Sequence, residues 1–249
     1  MDHRLTDARP SADAASDDTP SSDDDPETAG ALEAALLSAD GGGGAQLRGH
    51  VPAHPEGVVL VLHGGTERSR VPVSWWRLAV VRMLPFATEL HQRAGEQLAV
   101  LRLKNRVRGW NGSRQDPVQD ARWAIERIRR VFPGVPIALV GHSMGGRVAL
   151  QLADEPGVAA VACLAPWVVA ETRRPRHDIP LLFMHGTRDR MTDPRRTAIL
   201  ARRWDESGAD VRLVEVPDEA HAMLRKPALW HRTVAEFVSG ALLGRPRTG

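Results

Sequence analysis

Beyond residue 45, two apolar patterns alternate along the chain. Short, β-branched and nearly continuous apolar runs occupy residues 58–62, 98–103, 137–140, 158–164, 181–184 and 211–216. Runs of this kind suit strands buried on both faces, as in a parallel sheet covered by helices. Between them lie amphipathic stretches at 74–94, 117–131, 146–153, 194–207 and 226–238. In the second of these, Ala121, Ala124, Ile125, Ile128 and Val131 mark one helical face, and Arg122, Glu126, Arg127 and Arg130 take the other. Pro85 is expected to kink or end the first. Strand and helix in alternation predict right-handed crossovers and one mostly parallel, doubly wound α/β sheet with helices on both faces. In such sheets the reacting groups sit on loops at the carboxyl ends of strands.

Residues 1–40 do not share the pattern. They carry 11 acidic side chains against two arginines and hardly any large apolar residue before Leu32. A segment of that composition buries too little surface to offset the entropy of ordering it. Residues 1–44 therefore read as a disordered acidic head with two helical turns at most, over 31–38, and a flexible hinge at Gly41 to Gly44. No strand precedes those glycines and no Lys-Ser or Lys-Thr follows, which argues against a phosphate cradle. The head also lacks the apolar core of a secretory signal. The folded domain is expected over 45–249.

Composition narrows the chemistry. Apolar residues make up 42% and charged residues 26%, ordinary globular values that exclude wholesale disorder. The positive balance of the body, mostly arginine, is weak evidence for a polyanion, and no nucleic-acid partner is expected. One cysteine, Cys163, excludes an internal disulfide and a Cys-rich zinc site, and its place in an apolar run makes it an inert core thiol. The longest apolar run, 158–165, is too short to cross a bilayer. No membrane partner is expected, and the cytoplasm is the expected compartment. Tyrosine is absent, so no phenol serves as acid, base or oxyanion donor.

One loop carries a strong motif. The run 137–140 leads into Gly141-His142-Ser143-Met144-Gly145-Gly146, and a helical stretch follows. A nucleophile at the tip of so sharp a strand-to-helix turn brings the positions two residues either side together, so that only small residues fit. Two further strand ends bear polar groups. Residues 181–184 lead into His185-Gly186-Thr187-Arg188-Asp189, and 211–216 into Pro217-Asp218-Glu219-Ala220-His221. An early strand, 58–62, ends in His63-Gly64-Gly65-Thr66.

With these elements in this order, residues 46–240 resemble the α/β-hydrolase family of serine esterases, lipases and thioesterases, in a small form without a cap. The resemblance implies a catalytic triad of Ser143, Asp189 and His221, with the His-Gly turn at His63-Gly64-Gly65 as an oxyanion element. In that scheme Ser143 Oγ attacks, and His221 takes its proton and returns it to the leaving group. Asp189 fixes the imidazole tautomer and stabilises the imidazolium. The backbone N–H groups of Gly65 and Met144 are the candidate oxyanion donors.

Each role has a rival. Asp193 competes with Asp189, but it precedes Pro194 and reads better as a helix N-cap. His231 competes with His221 but falls within the last amphipathic stretch. His63, His142 and His185 border the site without a metal-ligand pattern, and neither metal nor other cofactor is implied. Trp167, His142 and Trp75 are the candidate pocket residues, although aromatics that open a helix, as Trp75 and Trp76 do, are more often core. Arg173, Arg174 and Arg176 read as a solvated loop rather than an anion contact.

The function implied is acyl transfer to water, by a carboxylesterase-like serine hydrolase on a small acyl substrate. Thioesterases, amidases and peptidases use the same triad, and a non-catalytic ligand-binding protein is the reading outside enzymes. Only about a dozen residues separate the strand ending near Ala165 from the next near Ile179, leaving no room for a helical cap.

Overall fold

The computed structural model describes residues 26–37, 44–176 and 178–244. Seven strands form one sheet: β1 (Gln46–His50), β2 (Gly57–Leu62), β3 (Leu98–Lys104), β4 (Ile137–His142), β5 (Val158–Leu164), β6 (Leu181–Gly186) and β7 (Val211–Val216). Their spatial order is β1-β3-β2-β4-β5-β6-β7. Only β1, at the edge, runs antiparallel to its neighbour. The helices are α1 (Pro26–Leu37), α2 (Leu78–Val81), α3 (Leu84–Ala94), α4 (Asp116–Val131), α5 (Met144–Gln151), α6 (Pro194–Glu206) and α7 (Pro227–Leu243).

Strand periodicity divides the core in two. Val58, Leu60 and Leu62 of β2 join Ile125 and Ile128 of α4, Val148 of α5 and Trp204 of α6 on one side. Val59 and Val61 face the other way, with Phe86 and Leu90 of α3 and Trp230 and Phe237 of α7. Helices thus cover both faces, and the five central strands β2 to β6 are buried as their continuous apolarity requires, whereas β7, at the other edge, is only half-buried. Cys163 lies fully buried in β5, where burial pushes its thiol pKa far up.

Three local outcomes go beyond the sequence pattern. The stretch expected at 74–94 is two helices, because the chain turns at Arg82 and Met83 and Pro85 fits only the first turn of a new helix. The edge strand β1 is polar and half-exposed, so it carries no apolar run to announce it. Within the expected head, Pro26–Leu37 forms a helix lying against α4 and β1. This departs from a head clear of the body over 1–44. Its physical basis is Leu36, fully buried in the α4 side of the core, and Arg127, which donates to the carbonyls of Ala35 and Leu36. Residues 1–25 and 38–43, which carry most of the expected acidic head and its glycine hinge, lie outside the described residues.

Candidate active site

Ser143 follows β4 directly and is the residue before α5. Its backbone has φ 56° and ψ −115°, a left-handed conformation that a side-chain-bearing residue rarely adopts. The turn is tight enough to exclude side chains on its flanks. A Cβ at Gly141 would stand 2.2 Å from the Gly145 carbonyl oxygen, and one at Gly145 would stand 2.4 Å from the Leu62 oxygen. The Ser143 amide donates to Leu164 O across 2.9 Å, tying the turn to β5.

Asp189 lies just beyond β6, with both carboxylate oxygens engaged. Oδ1 accepts from the amides of Met191 and Thr192, at 2.7 and 3.1 Å. Oδ2 lies 2.7 Å from His221 Nδ1, 3.1 Å from His185 Nε2 and 2.9 Å from the Thr192 hydroxyl. Burial alone would push this carboxyl pKa up. Hydrogen bonds from His185, His221 and the Thr192 amide outweigh it and hold Asp189 well below the usual carboxylate range. An ionised Asp189 accepts the Nδ1 proton of His221, which leaves Nε2 of that ring as a base.

The sequence pattern gave no role to His185 or Thr192. His185 is fully buried, with Nδ1 2.9 Å from Thr197 Oγ1 and Nε2 on Asp189, so it braces the acid from behind. Its place four residues before Asp189 was the available signal. The rivals take structural places. Asp193 caps α6 by accepting from the Arg195 amide at 2.9 Å. His231 sits on α7, edge-on to Phe86 with ring centroids 4.5 Å apart.

Ser143 and His221 line one cavity of about 190 Å³ together with His63, Gly64, Gly65, Met191 and His142. Its outer wall comes from Val73, Arg77, Ala79, Val80, Arg82 and Arg108. Met144 is the first residue of α5, so its N–H belongs to the first helical turn, which lacks intrahelical acceptors. Gly65 packs directly on it. A Cβ there would come within 2.3 Å of both Met144 Cε and Arg108 O, so glycine is required for the two segments to meet. His63 is held on both ring nitrogens, by Gly64 O at 2.6 Å and the Asn105 amide at 3.2 Å.

Of the expected pocket residues, His142 lines the cavity and the two tryptophans do not. Trp75 instead donates to Gln46 Oε1 at 3.0 Å and lies beneath the guanidinium groups of Arg48 and Arg102. Those cations sit on β1 and β3, and they draw the indole to the sheet edge. The Trp167 amide donates to Ser143 O at 3.0 Å, yet its ring packs on Arg147 and edge-on to Trp110. Arg174 bonds Asp178 and Ser207, away from the cavity. Residues 165–176 and 178–180 form neither helix nor strand, so no cap arises there.

Residues 103–177, which include the serine turn, match the family model described as serine aminopeptidase, S33. A stretch of 55 residues, 21% of this chain, is 38% identical to monoglyceride lipase of Homo sapiens and spans 18% of that protein's length. Solved structures agree over most of the chain. An α/β serine hydrolase without lid from Xanthomonas campestris is similar with a TM-score of 0.59 and 21% identity, over 81% of this chain and 90% of that one. A putative α/β hydrolase from Agrobacterium tumefaciens gives 0.65 at 16% identity, over 85% and 98%. An esterase of Pyrococcus furiosus gives 0.60 at 16% identity, over 80% and 87%. The chain has the α/β-hydrolase fold. Among the described residues no helix is long and apolar enough to cross a membrane.

Proposed function

We propose that the protein is a serine hydrolase that cleaves a small carboxylic ester through a seryl acyl-enzyme. The observation that carries this reading is the 2.7 Å contact between Asp189 Oδ2 and His221 Nδ1, beside a cavity that His221 shares with Ser143. Ser143 Oγ attacks the ester carbonyl while His221 Nε2 takes its proton. The tetrahedral oxyanion is held by the Gly65 and Met144 amides. Collapse breaks the bond to the alcohol oxygen, which receives the proton from His221. Water, deprotonated by the same imidazole, then releases the acid and restores Ser143.

The name of the matching family model raises an aminopeptidase reading. An N-terminal ammonium needs a carboxylate to receive it, and among the described residues no carboxylate lines the cavity. Ester cleavage is therefore favoured. A fluorophosphonate probe tests the reading, since only an activated serine reacts. Labelling should be strong in the wild type and absent in Ser143→Ala, with 4-nitrophenyl ester turnover lost alongside. An unlabelled wild type, or a Ser143→Ala variant with full turnover, would overturn it.

A further inference from the structure

The cavity beside Ser143 is electrostatically one-sided. Among the described residues its lining includes three arginines, Arg77, Arg82 and Arg108, and no Asp or Glu. Several arginines elsewhere on the body are paired with carboxylates. Arg106, two residues before Arg108, bonds Asp120 and lies 3.7 Å from Asp116, while Arg114 takes Asp116 at 3.1 Å. Arg122, Arg188 and Arg202 have carboxylate partners as well. Arg82 and Arg108 form no ion pair among the described residues. Arg108 Nε is shielded from solvent and has no hydrogen-bond acceptor.

The backbone fixes where these two groups stand. Arg108 crosses the His63-Gly64-Gly65 turn, its carbonyl accepting from the Thr66 amide at 2.9 Å and its amide donating to Val71 O at 3.1 Å. Arg82 ends α2, its amide donating to Leu78 O at 2.9 Å. Both are half-buried and have no carboxylate within ion-pair distance among the described residues, and Arg108 Nε is closed to solvent. A partly desolvated cation without a partner is favoured by an anion that arrives beside it. A guanidinium offers a planar fork suited to an oxyanion, and two beside one small cavity fix its position.

We propose that Arg82 and Arg108 form an anion subsite, so that the natural substrate is an ester bearing a carboxylate or phosphate a few bonds from the scissile carbonyl. This rests on the serine-hydrolase reading of the same cavity. It adds that substrate charge, rather than apolar length, sets specificity. Arg77, exposed at the rim, attracts the same anion on approach.

The test compares matched esters that differ only in charge. The pairs are 4-nitrophenyl hemiadipate with its methyl-capped diester, and 4-acetoxybenzoate with its methyl ester. 4-Acetoxyphenyl phosphate supplies the phosphate arm, against 4-acetoxyphenyl methyl ether. In the wild type the anionic member should show the higher kcat/KM in at least one pair. That ratio should fall by about tenfold or more in Arg108→Met and in Arg82→Met, as expected when a charge-assisted contact is removed. Ratios at or below one in every pair, or a preference that neither variant reduces, would overturn the subsite. Ser143→Ala separates the two readings: turnover of both members surviving there removes the serine mechanism and leaves the charge ratio to be read. A measurement free of turnover completes the set. Adipate and inorganic phosphate, titrated calorimetrically into the full chain, should show at least one that binds saturably and more weakly in both arginine variants. Binding of neither anion, or binding equal in all three proteins, would overturn the proposal.

Discussion

The rings of His142 and His221 lie 4.7 Å apart between centroids, and His142 Nε2 donates to the His221 carbonyl across 3.0 Å. The residue preceding Ser143 therefore fastens the loop that carries the proposed base. Only the Nε2–H tautomer makes this bond, and Nδ1 of the same ring is buried without an acceptor or donor. Burial, reinforced by the neighbouring His221, pushes the His142 pKa down to about 3. Burial also takes His63 down to about 4.

These two shifts predict an acid-sensitive fold. The unfolded chain takes up protons on both rings below their ordinary 6.5, whereas the folded chain resists until about 4 for His63 and about 3 for His142. Stability from the neutral rings is fully present above pH 6.5 and is lost as pH falls through that interval, each ring contributing up to about 1.4 kcal/mol per pH unit. The depressed Asp189 carboxyl adds its own loss only once pH falls to the ordinary carboxylate value of 3.8, beneath the interval between pH 6.5 and 4. The melting temperature should drop between pH 6.5 and 4, and His142→Phe should show a shallower slope over that range. Parallel slopes in the two proteins would contradict the linkage.

The two carboxylates after β6 should separate cleanly. Asp189→Asn removes the charge that orients His221 and should lower kcat by about four orders of magnitude. Asp193→Ala should keep its turnover and lose about 1 kcal/mol through the α6 cap, read by urea denaturation. The opposite ranking would transfer the acid role to Asp193.

Helix α1 should be worth measurable stability. A chain beginning at Gly41 loses the burial of Leu36 and the Arg127 contacts, so it should be less stable by about 2 kcal/mol than one beginning at Asp25. Identical denaturation midpoints would show that the docked helix adds nothing.

Acyl length is limited by the wall around Ser143. A buried methylene gains about 0.8 kcal/mol only against apolar surface, and this cavity offers mainly Val73, Ala79 and Val80 beyond its polar groups. Among neutral 4-nitrophenyl esters, kcat/KM should level off after a few carbons, with acetyl to hexanoyl above dodecanoyl. A steady climb through long chains would require a groove that the cavity lacks.

Much of this architecture was legible in the sequence because its signals are local. Buried parallel strands write themselves as apolar runs, and the Gly141–Gly145 turn tolerates so few residue types that it reads as a motif. Wall and brace were illegible for different reasons. Arg82 and Arg108 reach the cavity from segments distant in sequence, and nothing in their own spacing announces it, whereas His185 and Thr192 brace Asp189 from within a few residues, a local signal that carries no fixed pattern. Trp75, a candidate pocket residue by its sequence position, lies neither there nor in the core, because the Arg48 and Arg102 cations hold it at the sheet edge. Strand β1 escaped because an antiparallel edge needs no continuous apolar run.

The positive φ of Ser143 sets chemistry against durability at a single position. A backbone held there costs about 1–3 kcal/mol in any residue that carries a side chain. Glycine would relax the turn and delete the hydroxyl in one substitution, so the residue that best suits the backbone is one that cannot react. Screening variants for heat resistance alone would reward that replacement and yield a robust, silent protein. Under the proposed mechanism, selection for turnover keeps an uncomfortable serine at the tip of the turn.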